Sequence, residues 1–170
     1  METINFYRAQ GPYGCFSNFA ACPIEINGKI WPTSEHFFQA QKFAGTAHEE
    51  AIRACATPNR AARLGRMRSK PLRGDWASVK DDVMRQAVLA KFRQHADIRA
   101  TLLGTGDALL AEHTRNDRYW GDGGDGAGKN MLGMILMEVR QQLRAEFPGG
   151  SGRTCPEPTV PGTTESRSIG

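Results

Sequence analysis

Apolar positions recur mainly at helical spacing. From Trp76 to Gln94, the residues Val79, Val83, Ala87, Val88 and Phe92 build one apolar face, which predicts a long helix central to the core. Leu132, Ile135, Leu136, Val139 and Leu143 make a second stripe and predict a last helix. Between these two, Asp97 is placed to cap a shorter helix over 98–103. Towards the N-terminus, Pro32-Thr33-Ser34 opens a helix running to Phe43, with Thr33 or Ser34 as cap, and Thr57-Pro58 opens another over 58–67. Residues 4–7 form a short apolar run. Ile24-Glu25-Ile26 and Lys29-Ile30-Trp31 flank Asn27-Gly28, a dipeptide suited to a type I′ hairpin turn. Helices outnumber strands, no repeat period appears, and strand–helix alternation is too sparse for a doubly wound sheet. The expectation is a predominantly helical α+β domain over 1–147 with a small N-terminal β element.

The remaining segment, 148–170, is mostly Gly, Pro, Ser and Thr and lacks the apolar residues to offset the entropy of ordering it, so it is expected to be a disordered tail. With two Arg and two Glu it carries no net charge, so the +4 of the chain belongs to the body. That balance favours an anionic ligand without requiring one. Cys15, Cys22, Cys55 and Cys155 are scattered without a C-x-x-C pair, which suits a reducing compartment and argues against a disulfide framework or a zinc site. No apolar run approaches the about 18 residues of a membrane span. The N-terminus METINFYRAQ has no apolar signal core. The expectation is an unprocessed cytoplasmic protein with no membrane partner.

Three segments carry candidate chemistry. YWGDGGDGAGKNMLG, residues 119–133, reads G-x-x-x-x-G-K-N from Gly123, one residue from a nucleotide-binding phosphate loop. Its context fails: EHTRNDRYWGD replaces the apolar strand, Asn130 has no hydroxyl for Mg²⁺, and Asp122 and Asp125 would set negative charge beside phosphates. A calcium loop fails as well, because Gly128 and Gly133 stand where the twelfth-position acid is needed. Five glycines in residues 121–128 permit close backbone approach to a ligand, and the stretch runs into a helix N-terminus that could still bind phosphate. In WPTSEHFFQAQK, residues 31–42, Glu35 sits in a first helical turn, where a carboxylate is favoured by the macrodipole whether or not it is functional. His36 lacks a partner at metal spacing and reads as packed or surface, and Phe37 and Phe38 read as core. Residues 51–74 hold seven basic residues and no acid, which is either a solvated face or an anion-binding patch.

FSNF at 16–19, WPTSEHFFQAQKF at 31–43, RSKPLR at 68–73, Asp75-Trp76, KFRQH at 91–95, EHT at 112–114 and the glycine-rich stretch together resemble the motifs of the YbiA-like NADAR domain family, named for association with NAD and ADP-ribose. They run in order from residue 16 to residue 133; the tail lies outside them. The resemblance implies a mostly helical α+β fold and cleavage of N-glycosidic bonds at a ribose anomeric carbon. In the bacterial branch it implies ribosylaminopyrimidine 5′-phosphates of early riboflavin synthesis as substrates, with release of ribose 5-phosphate and a free aminopyrimidine. Another branch removes ADP-ribose from guanine in nucleic acid, and a non-catalytic ADP-ribose or nucleotide binding module is the alternative outside the enzyme class.

Breaking a ribose C–N bond builds positive charge on the sugar, so a nearby carboxylate stabilises the transition state and can activate water. Glu35 is the leading candidate for that carboxylate. By the resemblance, Trp120 stacks on the base and Asp122 holds ribose hydroxyls or assists water. Asn18 supplies either a polar contact or a structural turn. Arg66, Arg68, Lys70 and Lys129 are candidates for the 5′-phosphate. No metal and no cofactor are implied, and the sequence does not report the oligomeric state.

Overall fold

The computed structural model describes residues 2–148. In chain order these form β1 (Thr3–Phe6), β2 (Ile24–Ile26), β3 (Lys29–Trp31), α1 (Ser34–Gln41), α2 (Ala47–Arg53), α3 (Pro58–Gly65), α4 (Trp76–Gln94), α5 (Ala96–Gly104), β4 (Leu109–Glu112) and α6 (Met131–Glu146). The predominantly helical α+β expectation is met. The expected tail lies outside the described residues from 149 onward. Among the described residues, no helix is long and apolar enough to cross a membrane.

Local chemistry sets most boundaries. Thr33 is the cap of α1, its hydroxyl accepting the His36 N–H, and Thr57 does the same for α3 with the Arg60 N–H. Asn27 and Gly28 both have positive φ (54° and 73°), the geometry of a type I′ turn, and join β2 to β3 in register. The two helices beginning at Ser34 and Pro58 end at Gln41 and Gly65, each two residues short of the predicted end.

Three features depart from the sequence expectations. β1 pairs in parallel with β4, Ile4 beside Leu110, so it belongs to a separate two-stranded sheet and not to the hairpin. α2 was not anticipated. Asp97 does not cap α5; His95 is the boundary residue, without a side-chain cap bond, and Asp97 lies inside the first turn. Only one residue separates α4 from α5, which leaves no room for a capping turn at position 97.

α4 and α6 supply the predicted stripes: Val83, Ala87, Val88 and Phe92 on one, and Leu132, Ile135, Leu136, Val139 and Leu143 on the other, are buried together. α1 packs against α2, α3 and α4, while α6 lies on α4 and β4. The approach of α6 to β4 is close enough that a Cβ on Gly133 would collide with the Leu110 carbonyl oxygen and the Asn130 amide. Gly133→Ala is therefore expected to destabilise the domain by about 1–3 kcal/mol, the usual cost of overpacking an interior. A lower urea midpoint at unchanged m-value would show it.

Candidate active site

The site is organised by the first turn of α1. Seven of its eight residues, Ser34 to Ala40, are buried. The 16–19 loop is stapled to that turn: the Glu35 N–H donates to the Asn18 carbonyl at 3.1 Å, and the Ser34 hydroxyl donates to Asn18 Oδ1 at 2.9 Å. The Asn18 amide in turn reaches Met84 Sδ on α4, and the buried Lys91 ammonium donates to the Ser17 carbonyl at 2.8 Å. Burial lowers the Lys91 pKa to about 8. Behind the turn, His36 is 1% exposed; its two ring nitrogens meet the Thr33 hydroxyl and the Cys55 carbonyl, which makes it a packed core histidine.

A cavity of about 750 Å³ opens over this turn. Glu35, Phe38, Gln39 and Lys42, one face of α1, form one wall. Trp76, Lys80 and Met84 come from α4, Asn59 and Arg66 from the two ends of α3, and Glu112, Asp117, Tyr119 and Trp120 from the end of β4 and the loop that follows. The rings of Trp76 and Trp120 each lie 5.2 Å from the Phe38 ring. Lys42 Nζ donates to the Gly65 carbonyl at 3.2 Å and lies 5.8 Å from the Trp76 ring.

Glu35 is 6% exposed and accepts from Gln39 Nε2 at 2.8 Å. Burial raises its pKa, opposed by that hydrogen bond and by Lys42 and Arg66. A net rise means that burial of the ionised form outweighs these stabilising contacts. Burial also raises Glu112, to about 7, reinforced by Asp117, Glu35 and Asp122. Burial lowers the Lys42 pKa, with Glu35 acting against it and Arg66 with it.

Of the residues singled out in the sequence, Glu35, Asn18, Trp120 and Arg66 line one cavity. Asp122, Arg68, Lys70 and Lys129 are not among its lining residues. Arg68 and Lys70 are exposed on the connection after α3, and Lys129 Nζ lies 5.0 Å from the Tyr119 ring. The Asp122 carboxylate closes its own loop, accepting from His113 Nδ1 at 2.7 Å and from the backbone N–H groups of Thr114 and Gly124. Burial acts to raise its pKa, but these hydrogen bonds outweigh it and the net direction is down.

The glycine-rich stretch corrects another expectation. The N–H groups leading into α6 already have partners: Lys129 donates to the Arg118 carbonyl, Asn130 to Gly121, Met131 to Tyr119 and Leu132 to Trp120. That helix start is closed by the loop's own carbonyls and offers no phosphate site. Asn130, at the position a phosphate loop gives to Ser or Thr, adopts φ 51°. Its Oδ1 accepts the Glu112 N–H and its Nδ2 donates to the Leu110 carbonyl, so its amide completes the edge of β4. A Cβ on Gly128 would sit 2.5 Å from the Gly121 oxygen, so this glycine serves loop closure.

Lys42, Trp76, Glu112 and Asp117 were not read from the sequence as site residues. Lys42 had a usable signal, because positions 35, 38, 39 and 42 share one helix face. Glu112 stood in the EHT motif but carried no sign of its role, and Asp117 had no signal, since its approach depends on an irregular loop.

A helical α+β domain whose cavity gathers buried acids, flat aromatic rings and cations has the site of an enzyme. The NADAR domain model matches residues 5–144, and the chain belongs to that family. It is 62% identical over 143 residues to the N-glycosidase YbiA of Escherichia coli (strain K12), covering 84% of this chain and 89% of that protein. It is 42% identical to the Riboflavin biosynthesis protein VVA0006 of Vibrio vulnificus (strain YJ016), covering 86% of this chain and 40% of that one. The NMR structure of the E. coli protein YbiA superposes with a TM-score of 0.81 at 59% identity, covering 87% of this chain and 88% of that chain. Curated relatives of this identity support an N-glycosidase hydrolase.

Asp122→Ala would leave two loop N–H groups without their acceptor and is expected to destabilise the domain by about 1–3 kcal/mol at neutral pH. Its folded pKa is depressed, so its contribution is present above the unfolded value of about 4 and is lost as pH falls through the folded pKa. Melting curves of wild type and variant should therefore converge on acidification.

Proposed function

We propose that this chain, an N-glycosidase, hydrolyses the ribose C–N bond of ribosylaminopyrimidine 5′-phosphates, releasing ribose 5-phosphate and a free aminopyrimidine. The observation that carries the reading is the convergence, in one cavity, of the buried Glu35 carboxylate, the Trp120 indole and the cations Lys42 and Arg66. The substrate class draws on a relative whose name places it in riboflavin biosynthesis.

Each group has a chemical task. As the C–N bond lengthens, the sugar becomes oxocarbenium-like, and Glu35 supplies negative charge inside a low-dielectric wall, where charge stabilisation is worth more than in water. Lys42 and Arg66 favour the charged form of that carboxylate, against a burial that raises its pKa. It also takes the proton of the attacking water. Trp120, with Phe38 and Trp76, offers flat apolar surface to the pyrimidine. Arg66 is the phosphate ligand that fits best, being a fork donor on the cavity wall. Asn18 orients the ribose and also fixes the loop beneath it. Asp122 acts by holding the Trp120 loop in shape, and Arg68, Lys70 and Lys129 contribute charge to the approach of an anion.

One observation favours a second reading, removal of ADP-ribose from guanine in nucleic acid. The start of α3 and Arg66 just past its end line the cavity, and Arg60, Arg63 and Arg68 on or just after this helix are exposed without an ion pair among the described residues. Such a rim would follow a polyanion. Incubating the protein with a ribosylaminopyrimidine 5′-phosphate and, separately, with ADP-ribosylated guanine DNA, and measuring the released product, separates the two. Release from the DNA alone would overturn the first reading.

Glu35→Gln keeps size and removes charge and basicity. A loss of roughly 10²–10⁴ in kcat with measurable substrate binding is expected. Since burial raises the folded pKa of Glu35, stability is lost as pH rises through that value, and the neutral isostere should melt no lower than wild type at neutral pH. A purely structural carboxylate at the helix start would give the opposite pair: lower melting and intact turnover.

A further inference from the structure

Three carboxylates line the proposed ribose site: Glu35, Asp117 and Glu112. Two of them have partners that favour the carboxylate form. Glu35 has the Gln39 amide and the charges of Lys42 and Arg66. Asp117 Oδ1 accepts the backbone N–H groups of Tyr119 and Trp120, each at 2.8 Å. The Glu112 carboxyl has neither; among the described residues it has no hydrogen-bond partner and no ion pair, although its backbone is fixed by Asn130 on one side and the Asp122 N–H on the other. Arg8, Lys42, Arg66 and Lys80 line the same cavity, but the charged groups that act on Glu112 are Glu35 from α1 and Asp117 and Asp122 from the loop, all acidic. Of the three, Glu112 is the carboxylate with no group beside it that favours its anion.

We propose that Glu112 is the general acid of the reaction, donating its proton to the leaving nitrogen. This rests on the ribosyl C–N cleavage proposed above. As the C1′–N bond breaks, its electron pair stays on nitrogen, which takes the Glu112 proton and leaves as a neutral amine. Water then forms the new C1′–O bond and gives its proton to Glu35, and exchange with solvent returns the proton to Glu112 and empties Glu35. One water is consumed and no other reactant is needed. The two acids thereby divide acid and base work, as paired carboxylates in unlike environments do. Burial and the surrounding acids raise its pKa to about 7, which suits a group that still carries its proton near neutral pH.

The test compares wild type with Glu112→Gln on two compounds: a ribosylaminopyrimidine 5′-phosphate, whose amine needs a proton to leave, and 4-nitrophenyl riboside 5-phosphate, whose nitrophenolate does not. The expected result is a loss of roughly 10²–10⁴ in kcat on the first and only a few-fold on the second. The wild-type rate on the first should also decline above about pH 7, and that decline should be absent from the variant. Glutamine matches the neutral state of Glu112, so the variant should fold, and its release of nitrophenol reports an intact cavity. Equal losses on both compounds, or an undiminished rate on the first, overturns the assignment of Glu112 alone. A wild type that leaves the aminopyrimidine riboside intact overturns the function reading, and this inference with it.

Discussion

Burial of the first turn of α1 is the constraint on which the rest of the molecule depends. A helix start normally faces solvent, because its leading N–H groups have no partner within the helix. Here Thr33 satisfies the His36 N–H and the Asn18 carbonyl satisfies that of Glu35, so the turn can sit inside. Once it is inside, α2, α3 and α4 can pack around the same helix, and Glu35 is carried into a wall where a carboxylate is expensive to ionise. The FSNF segment is thus a structural staple as well as a cavity wall, and Lys91 anchors it from below through the Ser17 carbonyl.

The glycine-rich loop solves a related problem at the other wall. Its sequence suggested a cradle for phosphate, yet its donors turn inward. Carbonyls from Arg118 to Gly121 cap α6, Asp122 gathers three donors, and Asn130 completes the edge of β4. Backbone polar groups must find partners when they are buried. This loop finds many of them within itself and so stands as a platform. Its reward is positional: Asp117, Tyr119 and Trp120 are presented to the cavity from backbone that has little freedom to move.

How much of this was legible in the sequence follows from the range over which each signal acts. The stripes on α4 and α6, the Thr33 and Thr57 caps and the Asn27-Gly28 turn are local, and local chemistry decides them. The pairing of β1 with β4 joins opposite ends of the domain, and no local pattern announces it. α2 carries His48, Glu49 and Glu50 in its first turns and so shows no apolar stripe there, and its cap is Thr46, which accepts the His48 N–H. In the site, Glu35, Trp120 and Asn18 were legible through motif resemblance and Arg66 only as a cation, and the structure gathers them. Arg68, Lys70 and Lys129 show why cations were less so: in a basic chain the residue type alone does not say which side chains face inward. Asp122 was legible as a fixed position in a motif but not as a loop clamp, because hydrogen bonds to backbone leave no trace in composition.

The acidic cluster sets a stability problem for the surrounding domain. Glu35 and Glu112 both have pKa values raised by burial, so each weakens the folded state as pH rises through its folded pKa. A site that holds uncompensated acid is destabilised by design, and the stability must come from elsewhere. It comes from the apolar core between α4 and α6, and from closures such as Asp122 with His113, whose lowered pKa acts in the opposite direction. The same physics selects the cations. One more lysine or arginine against Glu112 would relieve the repulsion and stabilise the fold, but it would also ionise the group whose proton the leaving nitrogen needs. Lys42 and Arg66 act on Glu35, while the charges that act on Glu112 are all acidic. In that asymmetry two chemically similar carboxylates acquire different electrostatic surroundings within one cavity.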